Sequence, residues 1–237
     1  MIVSLTIVRY RTRFIPVALL AMAVHRLPLW LAQKCTFWKL LGSGRNGTFD
    51  LQPDWRQWGL LAAWETREDY EAFARSSFVP RWWNAFTTEQ WTLLAEPIAS
   101  HGKWDGREPF KITGQSQVPP APIAVLTRAT IRLKKLPRFW QHVTPVANLM
   151  HSAPGYLTSV GIGEAPFFRQ ATFSLWENED AVADFAYRSP VHREVIRKTR
   201  EEGWYSEELF ARFRPIASYG TLHGCDPLAG KLTNLAP

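Results

Sequence analysis

Six histidines, His25, His101, His142, His151, His192 and His223, are the residues of widest chemical reach in this 237-residue chain. None belongs to a His-Glu-x-x-His pair or to a histidine–carboxylate cluster at metal spacing, and Cys35 and Cys225 form no Cys-x-x-Cys pair. The run GSGRNG at 42–47 lacks the lysine and hydroxyl residue of a phosphate loop. Its Gly42 and Gly44, like Gly161 and Gly163 later on, read either as tight-turn residues or as a rim that lets a ligand approach the backbone. Ser43 has no acyl-transfer context. His192 stands apart. In RSPVHREVIRK, Ser189 reads as a helix cap and Pro190 as the first helical residue, which puts His192 in the first turn. Val195, Ile196 and Thr199 then share its side of the helix. A helix N-terminus and apolar surroundings both favour the neutral imidazole, which is the form that ligates a haem iron. A core histidine bonded to a backbone carbonyl fits the same pattern. The equivalent position in the first half is Pro80, which cannot ligate.

Twelve tryptophans accompany these histidines, and nine of them, Trp38 and Trp104 included, fall in the first half. Such side chains line a roomy apolar cavity or fill a core. With 46% hydrophobic residues, the chain can bury a core without disulfide or metal staples. The formal charge of +7 is scattered, its tightest run being Arg132, Lys134, Lys135 and Arg138, so no nucleic-acid stripe is present. Segment 14–32 is apolar, but His25 and Arg26 lie in its middle. A charge at bilayer centre costs about 2.5–3.5 kcal/mol, so the segment reads as a buried or surface-lying helix rather than a span or a signal peptide.

The elements that must position these residues occur twice. WETREDYEAFA at 64–74 is repeated as WENEDAVADFA at 176–186, SSFVPR at 76–81 as RSPVHR at 188–193, and Pro97-Ile98-Ala99-Ser100 as Pro215-Ile216-Ala217-Ser218. Gly42-Ser43-Gly44 recurs as Gly161-Ile162-Gly163 in the same order. Each half runs strand, helix, strand, strand, helix, strand, the βαββαβ order of a ferredoxin-like unit. The fold class is therefore α+β, with two such units burying their open sheet faces against each other in one dimeric-α+β-barrel-like domain. The expected division is a first half at 1–105, a linker rich in Pro, Gly, Gln and Ser at 106–122, a second half at 123–220 and a loose tail at 221–237.

FWKLLGSG (37–44), W-x-GREPF (104–110), LTRATIR (126–132), GIGE-x-P (161–166), Q-x-TFS-x-W (170–176) and EEGWYSEELFARFR (201–214) together resemble the spheroidene monooxygenases, the acyclic-carotenoid oxygenases. The resemblance covers the chain to about residue 220. It implies a haem b-dependent monooxygenase that uses O₂ and electrons from reduced ferredoxin to place a keto group on an acyclic carotenoid such as spheroidene. It also implies His192, in the PVHR run, as the iron ligand. Arg128, Lys39 and Arg107 become candidates for haem propionate or rim contacts, with ordinary salt bridging as the other reading. Trp38, Gly42, Gly44, Gly161, Gly163 and Glu164 become candidates for the pocket, Glu164 to orient a distal group. A water-insoluble substrate implies a cytoplasmic protein in peripheral contact with the inner or photosynthetic membrane. Two alternatives remain open on the residues: an oxygenase for another apolar compound, and a non-catalytic small-molecule-binding protein on the same barrel.

Overall fold

Strict alternation builds the first strand. In β1 (Ile2–Tyr10), Val3, Leu5 and Ile7 point to one side and Val8 and Tyr10 to the other, and both sides are buried. A strand buried on both faces needs a second layer on each side, and the fold supplies them. In the computed structural model the residues described are 1–237 without 46, 48–51, 113–120, 166, 189 and 233–237; the side chains of 143–148, 187, 188 and 190–192 also lie outside the description.

The first half comprises β1, α1 (Ile15–Val24), α2 (Arg26–Leu31), β2 (Cys35–Gly44), β3 (Pro53–Trp64), α3 (Arg67–Ser76), α4 (Phe78–Phe86) and β4 (Thr87–Gly102). The second comprises β5 (Ile123–Ile131), α5 (Leu136–His151), β6 (Tyr156–Ala165), β7 (Arg169–Trp176), α6 (Glu179–Ala183), a π-helical turn (Asp184–Arg188), α7 (Pro190–Glu202) and β8 (Tyr205–Gly220). The helix expected over 14–32 is broken at His25 into α1 and α2. The last strands of the two halves are both 16 residues long.

The eight strands close into a barrel of order β1-β3-β2-β6-β7-β5-β8-β4, antiparallel throughout. Each half contributes four neighbours, and two seams join the halves. Among the described residues the β2–β6 seam has two residue pairs, Gly42–Gly163 and Ser43–Ile162, whereas β4–β8 has eleven. The barrel interior is filled by inward residues of both halves, including Leu5, Leu61, Trp91, Leu126, Phe173 and Phe213. The helices cover the outside of each sheet.

The duplication extends to the turns. After β4, Trp104 pairs with Arg107 around Asp105 and Gly106, both at positive φ; after β8, Leu222 pairs with Cys225 around His223 and Gly224, also at positive φ. The Glu207 carboxylate accepts the Asp105 and Gly106 N–H groups at 3.0 and 2.8 Å, and Glu89, its counterpart, accepts the Gly224 N–H at 2.7 Å.

Parts of the expected linker and of the expected loose tail are packed among the described residues. Pro109 and Phe110, inside the expected linker, are buried, and Phe110 sits edge-on to Phe37 and Phe213 in the barrel. Leu222 and Leu228, in the expected tail, are buried in the same interior. Both segments follow the last strand of their half and drop an apolar side chain into a barrel mouth that strands alone leave open. Polar composition concealed the few anchors that tie them down.

Candidate functional site

Strand register brings Arg128, Lys39 and Glu164 together. Arg128 and Lys39 sit on inward positions of β5 and β2, and Glu164 lies near the end of β6. Arg128 is 1% exposed and pairs with Glu207 and, at 3.4 Å, with Glu164. The Lys39 ammonium donates to Glu164 Oε1 at 2.8 Å and pairs with Asp105, which also lies 3.5 Å from Arg169. Trp104 Nε1 donates to Glu164 Oε2 at 2.7 Å, and the Arg128 guanidinium lies 5.2 Å from the Trp104 ring centroid. Burial would raise the Asp105 carboxyl, but the bond to Lys39 and the charges of Lys39, Arg169 and Arg128 hold it below its ordinary value. Glu207 behaves alike: burial pushes it up, and the Gly106 and Asp105 N–H groups with Arg128 bring it below the usual range.

Three cations thus face three carboxylates at one barrel mouth, and the network locks the Trp104–Phe110 segment in place. Arg128 and Lys39 do bind carboxylates, as their types suggested, but the carboxylates are the protein's own. Asp105, Glu207, Arg169 and Trp104 were absent from the sequence-level site. The W-x-GREPF and EEGWYSEEL runs contain three of the four, so the signal was present without a reason to join them. Arg107 is exposed and contributes its backbone to the Trp104 turn.

Trp38 faces the helix layer of the first half, beside Leu40 and Trp58. Gly42 faces Gly163 across the short seam, and Gly44 pairs with Pro53 at the end of β2. The Gly161 carbonyl accepts the Ser43 hydroxyl at 2.8 Å, and Gln57 donates to the same hydroxyl at 2.9 Å. Gly163 has a steric reason to be glycine: a Cβ there would lie 2.7 Å from the Arg169 carbonyl oxygen.

The helix-facing side of the second sheet differs from that of the first. In the first half one continuous apolar cluster fills the layer, from Val8 and Tyr10 to Trp64 and Trp83. In the second half the described side chains pack in two clusters, one around Ile131, Phe139 and Trp204, the other around Ile123, Met150 and Trp176. Between them, adjacent rows across the sheet read Thr127–Thr172–Gly161 and Ala129–Gln170–Gly163. By register, Ala129, Thr172, Gln170 and Gly161 stand where the first half has Val8, Leu60, Trp58 and Leu40, while Thr127 and Gly163 match Thr6 and Gly42; Ala129, Gln170 and Thr172 are buried. Trp140, on α5 at the edge of this strip, has a buried indole N–H without a partner among the described residues. Short side chains therefore line this part of the sheet beside a buried indole donor. His192 lies on α7 in this half, and its side chain and the Ser189 cap lie outside the described residues.

The other histidines are accounted for. His142 Nδ1 donates to the Arg138 carbonyl at 2.8 Å, and its Nε2 accepts from Lys198 at 3.2 Å. His151 packs edge-on to Tyr156, and His101 and His223 are exposed. His25 borders a small cavity under α1 with Tyr10, Met22 and Trp83, and its buried Nε2 has no partner among the described residues. Burial lowers its pKa to about 4 and raises that of Tyr10 to about 12. Among the described residues no group of three or more His, Cys, Asp or Glu could hold a metal ion, which leaves single-ligand haem attachment untouched.

A single-chain, duplicated α+β barrel with an internally neutralised mouth and one differentiated helix–sheet layer is the class that fold and site define. Two solved structures of aldoxime dehydratase share the fold, at TM-scores of 0.59 and 0.56 with 10% and 11% identity; each match covers 90% of this chain and 80% or 79% of the other. No protein-family model matches. Sequence relatives are nearer. The spheroidene monooxygenase of Rhodobacter capsulatus is 35% identical over 233 residues, 98% of this chain and 97% of the relative. That of Cereibacter sphaeroides is 35% identical over 214 residues, 90% of this chain, which spans 65% of that relative's length. That of Rubrivivax gelatinosus is 35% identical over 188 residues, 79% of this chain and 72% of the relative. The chain belongs to the spheroidene monooxygenase family, a family of oxidoreductases.

Proposed function

We propose that this chain is a haem-dependent monooxygenase that converts an activated methylene of an acyclic carotenoid such as spheroidene into a ketone. The family relationship supports oxygenation of an apolar, carotenoid-like substrate. The strip of small residues between two apolar patches is the observation that carries the cofactor's location. Haem b seated there, when bound, would supply O₂ activation driven by electrons from a ferredoxin-type donor. His192, one helical turn before the sheet-packed Val195, is the proposed ligand. Thr127, Thr172 and Trp140 would border the group, and Trp140 offers a hydrogen bond to its edge. Arg128 and Lys39 pair with Glu164, Glu207 and Asp105, which supports a role in fixing the barrel mouth.

The substrate chemistry balances as two successive hydroxylations of one carbon. Each consumes one O₂, two electrons and two protons and releases one water, and the resulting gem-diol loses water to give the ketone. The protein's part is to exclude bulk water and hold the methylene in reach. The test is the absorption spectrum of protein expressed with ample haem, together with product analysis on spheroidene. A Soret band that His192→Ala shifts or abolishes, and a ketone product, are expected. Absence of the band overturns the cofactor, an unchanged band in His192→Ala moves the ligand elsewhere, and absence of any ketone overturns the carotenoid assignment.

A further inference from the structure

The charge of this protein is not spread as evenly as its total suggests. Residues 1–49 contain Arg9, Arg11, Arg13, Arg26, Lys34, Lys39 and Arg45 and no Asp or Glu. Those seven cations equal the whole formal charge of +7, and the remaining chain has 21 basic and 21 acidic residues. Lys39 is consumed by the barrel-mouth network, Arg9 by Asp54 and Lys34 by Glu65. Arg11, Arg13 and Arg26 are exposed and have no carboxylate partner among the described residues. All three lie at the ends of α1 and α2.

The same two helices present apolar side chains to solvent. Leu19, Leu20, Leu27, Trp30 and Leu31 are between 46% and 75% exposed, with Trp30 the most exposed. The stretch Thr12–Leu31 is long and apolar enough to cross a membrane, yet it is held along the barrel. Ala18, Ala21 and Leu29 are buried, and the helix breaks at His25. The duplication supplies an internal control. In α5 the position matching the exposed Leu20 of α1 is Gln141, an exposed polar residue.

We propose that the outer face of α1–α2 docks on an anionic lipid bilayer, with its leucines and Trp30 in the acyl boundary and Arg11, Arg13 and Arg26 at the headgroups. An apolar ridge flanked by unpaired cations and free of acidic residues is the pattern of a helix pair lying in the membrane interface. A protein partner would have to cover several leucines and a tryptophan and still supply carboxylates to three separated arginines. A lipid surface supplies both chemistries over any contour. The inference specifies the membrane contact implied for a carotenoid substrate, and its test reads lipid binding rather than oxygenation, so the two can fail separately.

The full chain is sedimented with vesicles of phosphatidylcholine alone and with vesicles carrying one third phosphatidylglycerol. Binding is expected to be at least tenfold stronger to the anionic vesicles and to weaken in high salt. Leu20→Glu/Leu27→Glu/Trp30→Glu is expected to lose it at least tenfold with unchanged circular dichroism, because these positions are already exposed. Arg11→Gln/Arg13→Gln/Arg26→Gln is expected to fall to the phosphatidylcholine level. Brominated acyl chains are expected to quench wild-type fluorescence more than that of Trp30→Phe. Equal sedimentation of wild type and the glutamate variant overturns the proposal, as does a lipid-free dimer that the same variant dissociates.

Discussion

His25 and Arg128 are both buried polar residues, and they resolve that burden in opposite ways. His25 gives up its charge: it is 2% exposed, packed edge-on to Trp82 and Trp83, and titrates near 4 rather than at the free value of 6.5. Its folded pKa is depressed, so the unfolded chain binds the extra proton between those two values. Stability from this group is therefore complete above about pH 6.5 and declines as pH falls toward 4, by about 3 kcal/mol at most. Denaturant titrations at pH 7 and pH 4.5 should show this slope, and His25→Leu should flatten it. Arg128 keeps its charge and recruits Glu207 and Glu164. Arg128→Ile, which copies its first-half counterpart Ile7, should cost about 3–5 kcal/mol because two carboxylates lose their partner. Adding Glu207→Gln and Glu164→Gln should restore much of that loss in urea melts. If the single variant is as stable as wild type, the network contributes nothing to folding.

At the level of elements, the two helix–sheet layers diverged after duplication. The first kept a continuous aromatic and aliphatic packing; the second has Ala129, Thr172, Gln170 and Gly161 in place of Val8, Leu60, Trp58 and Leu40, under a helix pair interrupted by a π turn. If that strip seats haem, Ala129→Leu should lower haem retention at least tenfold, with an overpacking cost of about 1–3 kcal/mol that leaves the fold intact. Full haem occupancy in that variant, measured by the pyridine haemochrome, would place the group elsewhere. The βαββαβ order was legible because period-two apolar runs and four repeated motifs fall in the same sequence twice. The break at His25 was not, since an apolar helix and two short ones share a composition. Gly161 and Gly163 could be singled out from their pattern, but which face they floor follows from register with β7, and register is a long-range property. The Lys39–Glu164 pairing spans 125 residues and had no local trace.

On the scale of the whole molecule, the duplication replaces an assembly with a connection: two sheets that would otherwise need a second subunit to cover them are joined in one chain. The Trp104 and Leu222 turns are the same device used twice, once inside a network of three cations and three carboxylates and once with a single carboxylate, Glu89, on its Gly224 N–H. That asymmetry, with the differentiated second layer and the cationic, oily α1–α2 face, shows how a repeated sequence comes to carry separate tasks in its copies.

The unequal joins between the copies have a mechanical corollary. One border is riveted along eleven residue pairs; the other is fastened at two, in a stretch flanked by glycines. Thermal breathing should unzip the weaker border first, and amides at 41–43 and 161–163 should exchange with deuterium well before those of 92–100. Equal protection along both borders would mean that the side chains filling the interior, and not the backbone, decide where the cylinder yields.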